Sequence, residues 1–129
     1  MSPLKILVAD DDSYIREALR IKLTHLGHAV CSAVNGSEAL QVLASSGFDV
    51  AVVDILMPEK DGFEVMGELR RRWPNVQIVA ISGGGRIGAG SLLDSALGLG
   101  AHAVLAKPFS FSELAEVIRS LAGPEQSLI

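Results

Sequence analysis

A three-layer α/β sandwich, with a five-stranded parallel sheet between two layers of helices, is the fold class this sequence predicts. Three observations carry the prediction. Apolar runs of four or five residues alternate with stretches of helical period, five times along the chain. The runs are almost wholly apolar, which is the pattern of strands covered on both faces rather than one. Glycine, proline, asparagine or aspartate punctuates each strand and helix pair, where the chain has to turn. Alternation of this kind implies crossover connections, which leave neighbouring strands parallel and are almost always right-handed.

The strands are read at Lys5 to Ala9, Ala29 to Ala33, Val50 to Val53, Gln77 to Ile81 and Ala103 to Ala106. Ile15, Leu19, Leu23 and Leu26 recur at helical spacing and define the first helix. A second opens at Asn35-Gly36-Ser37 and turns Ala39, Leu40 and Leu43 inward. Phe63, Met66 and Leu69 mark the third, which Trp73-Pro74 ends. Ser91 to Leu99 supplies the fourth. Ser110 and Glu113 form a capping box for the fifth, whose inner stripe is Leu114, Val117, Ile118 and Leu121.

A chain of 129 residues fits one domain with its own core, read here as residues 1–122 followed by a short tail over 123–129. A hydrophobic fraction of 49% excludes a disordered chain. The net charge of -4 argues against a nucleic-acid surface, which needs clustered lysine and arginine. Arg70, Arg71 and Arg72 read instead as a solvated helix end. Cys31 is the one cysteine and cannot form an intrachain disulfide, so a buried apolar role in a reducing compartment is expected. No apolar run approaches the roughly 20 residues of a membrane span. The expected setting is the cytoplasm, with neither nucleic acid nor membrane as partner. His25, His28 and His102 lack metal-ligand spacing and are read as structural or surface residues.

In a parallel α/β sheet, chemistry gathers at the carboxyl ends of the strands. The first strand ends in Asp10, Asp11 and Asp12, and the third in Asp54. Asp12, next to Ser13, reads as a helix cap. Converging carboxylates repel and raise one another's pKa unless a cation sits among them. An open, oxygen-only donor set favours magnesium, which binds through one or two carboxylates together with water and phosphate oxygens. Ser82 ends the fourth strand and Lys107 the fifth. A hydroxyl and an ammonium are the donors that a phosphoryl group needs for its equatorial oxygens. A carboxylate can then act as nucleophile toward phosphorus, giving an acyl phosphate.

The motifs Leu7-Val8-Ala9-Asp10-Asp11-Asp12, Asp54 with Met57-Pro58 and Asp61-Gly62, Ser82, and Lys107-Pro108-Phe109 follow the right strands in the right order. In these the chain resembles the receiver domains of two-component response regulators, including the small stand-alone receivers of chemotaxis. The likeness runs from about Lys5 to Leu121. It implies a flavodoxin-like sheet of order 2-1-3-4-5. It also implies that Asp54 is the phosphoacceptor and Asp11 a direct magnesium ligand. Asp10 would act on the metal through water, and the backbone carbonyl of Leu56 would complete the protein ligands. Ser82 is then the hydroxyl that moves onto the phosphoryl group, Lys107 the cation that pairs with it, and Lys107-Pro108 the place for a cis bond. The implied partners are a histidine kinase or histidine phosphotransfer protein as donor and a target protein downstream. The domain would act as a monomer or a phosphorylation-dependent homodimer. It would not be an enzyme beyond catalysing its own phosphorylation and slow dephosphorylation.

The chain departs from the family in three places. Receivers usually carry an aromatic residue three positions before the lysine, and here it is Val104. The loop Gly83 to Gly90 is glycine-rich and formally holds a G-x-G-x-x-G match, but after the wrong strand for a dinucleotide site. A loop that changes conformation is the expectation there, and with it the route of any signal. Leu56 and Gly84 occupy the positions that often hold the hydrolytic water, and neither side chain can bond one, so the acyl phosphate is expected to be long-lived. Two rival readings follow from the same residues. One is a receiver fold acting only as an interaction module. The other is a small haloacid-dehalogenase-type phosphatase with Asp10 and Asp12 as its D-x-D pair.

Overall fold

The computed structural model describes residues 3–57, 60–83 and 89–122, with side chains in the last stretch from residue 94 onward. The strands are β1 (Lys5–Ala9), β2 (Ala29–Ala33), β3 (Val50–Asp54), β4 (Gln77–Ser82) and β5 (Ala103–Ala106). They alternate with α1 (Ser13–His25), α2 (Gly36–Ser45), α3 (Gly62–Arg72), α4 (Ala89–Gly98) and α5 (Phe111–Ala122). Every strand pair is parallel, in the expected order β2-β1-β3-β4-β5. The order reverses between β1 and β3, which opens a crevice beyond their carboxyl ends.

Alternate strand residues build two cores. Leu7, Ala9, Ala51, Val53, Ile78 and Ala80 face α2, α3 and α4 through Leu43, Val65, Met66, Leu69 and Ala96. Ile6, Val8, Val50, Val52, Val79 and Ile81 face α1 and α5 through Leu19, Leu23, Leu114 and Ile118. Each buried leucine, isoleucine or valine contributes about 1.5–3 kcal/mol by leaving water, so the covered sheet holds the site on a stiff floor.

β3 and β4 each run one residue past their apolar stretch, because Asp54 pairs with Ile81 and Ser82 with Ala106 in the ladder. Leu26 is not in the core. It is the C-cap of α1 and 47% exposed, since the chain turns away through Gly27 at φ 99°. On α3 the buried stripe is Val65, Met66 and Leu69, and Phe63 lies half-buried. Helix α4 starts two residues earlier than the reading at Ser91. Cys31 is half-buried on the edge strand β2, not fully inside. The capping box of α5 is formed, with Glu113 N–H donating to Ser110 Oγ at 3.0 Å and Ser110 N–H to Glu113 Oε1 at 2.8 Å. Residues 84–88 of the glycine-rich loop and the tail over 123–129 lie outside the described residues.

Two histidines close the amino-terminal end of the sheet. Each immediately precedes an edge strand and takes a backbone N–H that a neighbouring carbonyl would otherwise accept. Leu4 N–H donates to His28 Nδ1 at 3.0 Å, and Ile78 N–H to His102 Nδ1 at 2.9 Å. An imidazole accepting at Nδ1 must be neutral with its proton on Nε2. His28 is buried, and burial holds its pKa below the ordinary value. A depressed histidine favours the folded state at neutral pH and loses that contribution as pH falls below about 6.5, where the unfolded chain takes up the proton. Urea unfolding at pH 7.5 and pH 5.5 should therefore show a smaller acid loss for His28→Asn, whose amide oxygen keeps an acceptor. Equal losses in both proteins would remove this role.

Candidate metal and phosphoryl site

Asp10 leaves β1 with its N–H on the Ala33 carbonyl at 3.2 Å, which ties the end of β1 to β2. Its Oδ1 accepts the Asp12 N–H at 2.9 Å. Asp12 spends its own carboxylate on capping α1, accepting from Tyr14 N–H at 2.9 Å and Ile15 N–H at 3.4 Å. It is the cap that the sequence suggested, and this use removes it from the D-x-D pair that the phosphatase reading required. Asp11, between them, is exposed.

At the end of β3, Asp54 is buried, with Oδ1 accepting the Leu56 N–H at 3.1 Å. Asp10, Asp11 and Asp54 each present a carboxylate oxygen, and the three oxygens lie within 4.8 Å of one another. Lys107 reaches into this group from the end of β5. Its Nζ lies 3.0 Å from Asp54 Oδ2, as a hydrogen bond, and 2.9 Å from Asp10 Oδ2 as a charge contact. The Lys107 N–H donates to the Ser82 carbonyl at 2.8 Å, which fixes β5 against β4 at this point. The peptide bond between Lys107 and Pro108 is cis. Ser82 Oγ is buried without a protein partner. In the ladder, Ser82 stands one residue beyond Ile81, the partner of Asp54. Ser82 thus ends the strand next to that of Asp54, at the carboxyl edge of the sheet.

The electrostatics follow from the burial. Asp54 is pushed above the ordinary carboxylate range by burial and by the charge of Asp10, with Lys107 and the Leu56 N–H opposing. Burial alone would depress Lys107, but its two carboxylate partners outweigh it and hold the ammonium above its usual value. Three carboxyl groups face one ammonium, and the cluster has the oxygen-only donor set of a magnesium site. The residues fit that ion.

Of the residues singled out in the sequence, Lys107 contacts Asp10 and Asp54, Asp11 presents an oxygen within 4.8 Å of theirs, and Ser82 neighbours them by strand register. Leu56 contributes its backbone here, while its side chain is 57% exposed. Val104 is half-buried and packs against the α2 and α3 core. Two further residues belong to the site. Arg16 of α1 donates from Nη1 to the Asp10 carbonyl at 2.8 Å. Gly62 lies so close to the end of β3 that any Cβ there would meet the Asp54 carbonyl oxygen and Ile55 Cα. The Asp61-Gly62 motif could have signalled the second, but a single arginine on an amphipathic helix gives no sequence signal. Beside Lys107 a groove of about 580 Å³ opens between α1 and the start of α5, lined by Tyr14, Ile15, Lys22, Phe109 and Phe111.

Fold and site together define a domain that gathers acidic oxygens, a hydroxyl and an ammonium at the switch point of a parallel sheet. The chain belongs to the family described as the response regulator receiver domain, whose model matches residues 6–119. It is 38% identical over 119 residues to the response regulator MprA of Mycolicibacterium vanbaalenii, covering 92% of this chain and 50% of that protein. The chain thus spans about half the length of the curated relatives it matches. Among solved structures, the receiver domain of the Francisella response regulator 1452 is 31% identical with a TM-score of 0.82, over 92% of this chain and 95% of that one. The response regulator TrrA of Thermotoga maritima, solved in complex with Mg²⁺ and BeF, is 34% identical with a TM-score of 0.77, over 92% and 98%. No helix among the described residues is long and apolar enough to cross a membrane.

Proposed function

We propose that Asp54 is the phosphoacceptor of a magnesium-dependent signalling switch, supplied by a histidine kinase or a histidine phosphotransfer protein. The observation that carries the reading is Asp54 itself: a buried strand-end carboxylate held by Lys107 inside a cluster of acidic oxygens. In the transfer, an Asp54 carboxylate oxygen bonds to phosphorus as the bond from phosphorus to the donor's imidazole nitrogen breaks, and the imidazole leaves neutral because its other ring nitrogen already carries a proton. Lys107 neutralises charge on the transferring group, and the unpartnered Ser82 hydroxyl is free to donate to one of its oxygens. Asp10, Asp11, Asp54 and the Leu56 carbonyl would hold Mg²⁺, which when bound neutralises the phosphoryl oxygens. The domain turns over no separate substrate; phosphorylation changes its affinity for a downstream protein. That TrrA, a related chain, was solved with Mg²⁺ and BeF supports the same use of this pocket.

Incubation with acetyl phosphate and Mg²⁺, followed by intact mass, is expected to add one phosphoryl group. Asp54→Asn and magnesium-free samples should add none. Incorporation that survives in Asp54→Asn would reject Asp54 as acceptor. The decay of the product tests the lifetime. The Leu56 side chain offers a water no hydrogen bond, and Gly84, the other position concerned, lies outside the described residues. Leu56→Glu should therefore shorten the half-life, and an unchanged half-life would contradict this account.

A further inference from the structure

We propose that Arg16 is a positioning residue for the metal site, an inference that rests on reading Asp10 and Asp11 as magnesium ligands. The two aspartates share the peptide unit formed by the Asp10 carbonyl and the Asp11 N–H. The orientation of that plane sets where the Asp11 carboxylate points. Other groups of Asp10 are already engaged: its N–H by Ala33, Oδ1 by the Asp12 N–H and Oδ2 by Lys107. Its carbonyl is held by Arg16 Nη1 at 2.8 Å. Arg16 can hold it at low entropic cost, because its own N–H makes an early helical bond of α1, to the Asp12 carbonyl at 3.0 Å, and its side chain is half-buried. The hydrogen bond thus locks the plane between the two ligands from a rigid element.

Charge and position make opposite predictions for this residue. A cation near the site repels Mg²⁺, so if charge were its whole effect, neutralising Arg16 would tighten binding. If it positions the ligands, neutralising it loosens binding. Partners one step removed from a metal typically cost about 10- to 100-fold in affinity when removed.

The test is isothermal titration of Mg²⁺ into metal-free wild type, Arg16→Met, Arg16→Leu and Arg16→Lys, with melting curves in chelator as a fold check. Arg16→Met is expected to weaken Mg²⁺ binding about ten-fold, while Arg16→Lys, which keeps an N–H donor, recovers most of it. The Mg²⁺ concentration that gives half-maximal incorporation from acetyl phosphate should rise by the same factor. If Arg16→Met fails to fold, Arg16→Leu, which also removes the donor, carries the comparison. Unchanged or tighter binding in the neutral variants, beside a wild type that binds Mg²⁺, overturns the role of Arg16 and leaves the phosphoryl switch standing. A wild type that binds no Mg²⁺ overturns both.

Discussion

Lys107→Met should cost the metal-free protein roughly 2–3 kcal/mol at pH 8, and Mg²⁺ should return most of it. Lys107 is the cation in direct contact with both Asp10 and Asp54. Removing one partner of a buried ion pair costs roughly 3–5 kcal/mol, and the lower figure here reflects a lysine side chain that is still 17% exposed. The pH dependence has a definite sign. Asp54 already sits above the ordinary range, and loss of Lys107 raises it further. A carboxylate raised in the folded state stabilises most below its unfolded pKa, near 4 in value, and loses that contribution as pH rises through the folded one. The variant should therefore approach wild-type stability near pH 5 and fall behind it at pH 8. Urea unfolding at both pH values, with and without Mg²⁺, measures this directly. Phosphoryl incorporation should fall by about 100-fold or more, the usual scale for losing one electrostatic contact to a transferring group. A variant as stable as wild type at pH 8 without metal would show that the carboxylates do not depend on Lys107.

The residues behind that prediction were legible in the sequence because each lies at a strand end, where an apolar run stops at a charged or hydroxyl residue. Strand order, the Asp12 cap and the α5 capping box were legible for a similar reason: they depend on local pattern or on motifs in fixed order. What escaped depends on where the chain meets itself. Leu26 fits the helical period of α1, but Gly27 turns the chain before that leucine can reach the core. Val65 and Phe63 both fit an inner face of α3, and only the packing decides for Val65. Arg16 gives no signal until its guanidinium is seen on a backbone carbonyl. His28 and His102 read as structural or surface residues, but nothing local shows which backbone N–H each imidazole accepts. These features share a physical basis in long-range contact, and they bear on how firmly the reactive aspartates are held.

Gly62→Ala is expected to have a large effect for a change that adds one methyl group. Gly62 opens α3 and donates its N–H to the Ile55 carbonyl at 2.8 Å. A Cβ at this position would fall inside contact distance of the Asp54 carbonyl oxygen, 2.5 Å from Ile55 Cα and 3.0 Å from the Asp54 carbonyl carbon. All three atoms are backbone, so no rotamer change relieves the clash. Helix α3 cannot easily retreat, since Val65, Met66 and Leu69 are buried in the core and Asp61 and Glu64 close its first turn reciprocally. Either α3 lifts away or the end of β3 moves and carries Asp54 with it. Overpacking of this kind costs about 1–3 kcal/mol, occasionally more, and a clash with fixed backbone belongs at the upper end. A shift of about 1 Å at Asp54 would lower the phosphorylation rate about 100-fold. Gly67→Ala on the same helix is the control, because nothing lies within 4 Å of its Cβ position. That change should stabilise by up to about 1 kcal/mol through helix propensity alone. Opposite signs in urea unfolding, with incorporation lost only in Gly62→Ala, would show that close approach and not helix content makes this glycine necessary. Wild-type stability and incorporation in Gly62→Ala would mean that the contact between α3 and β3 yields without disturbing the acceptor.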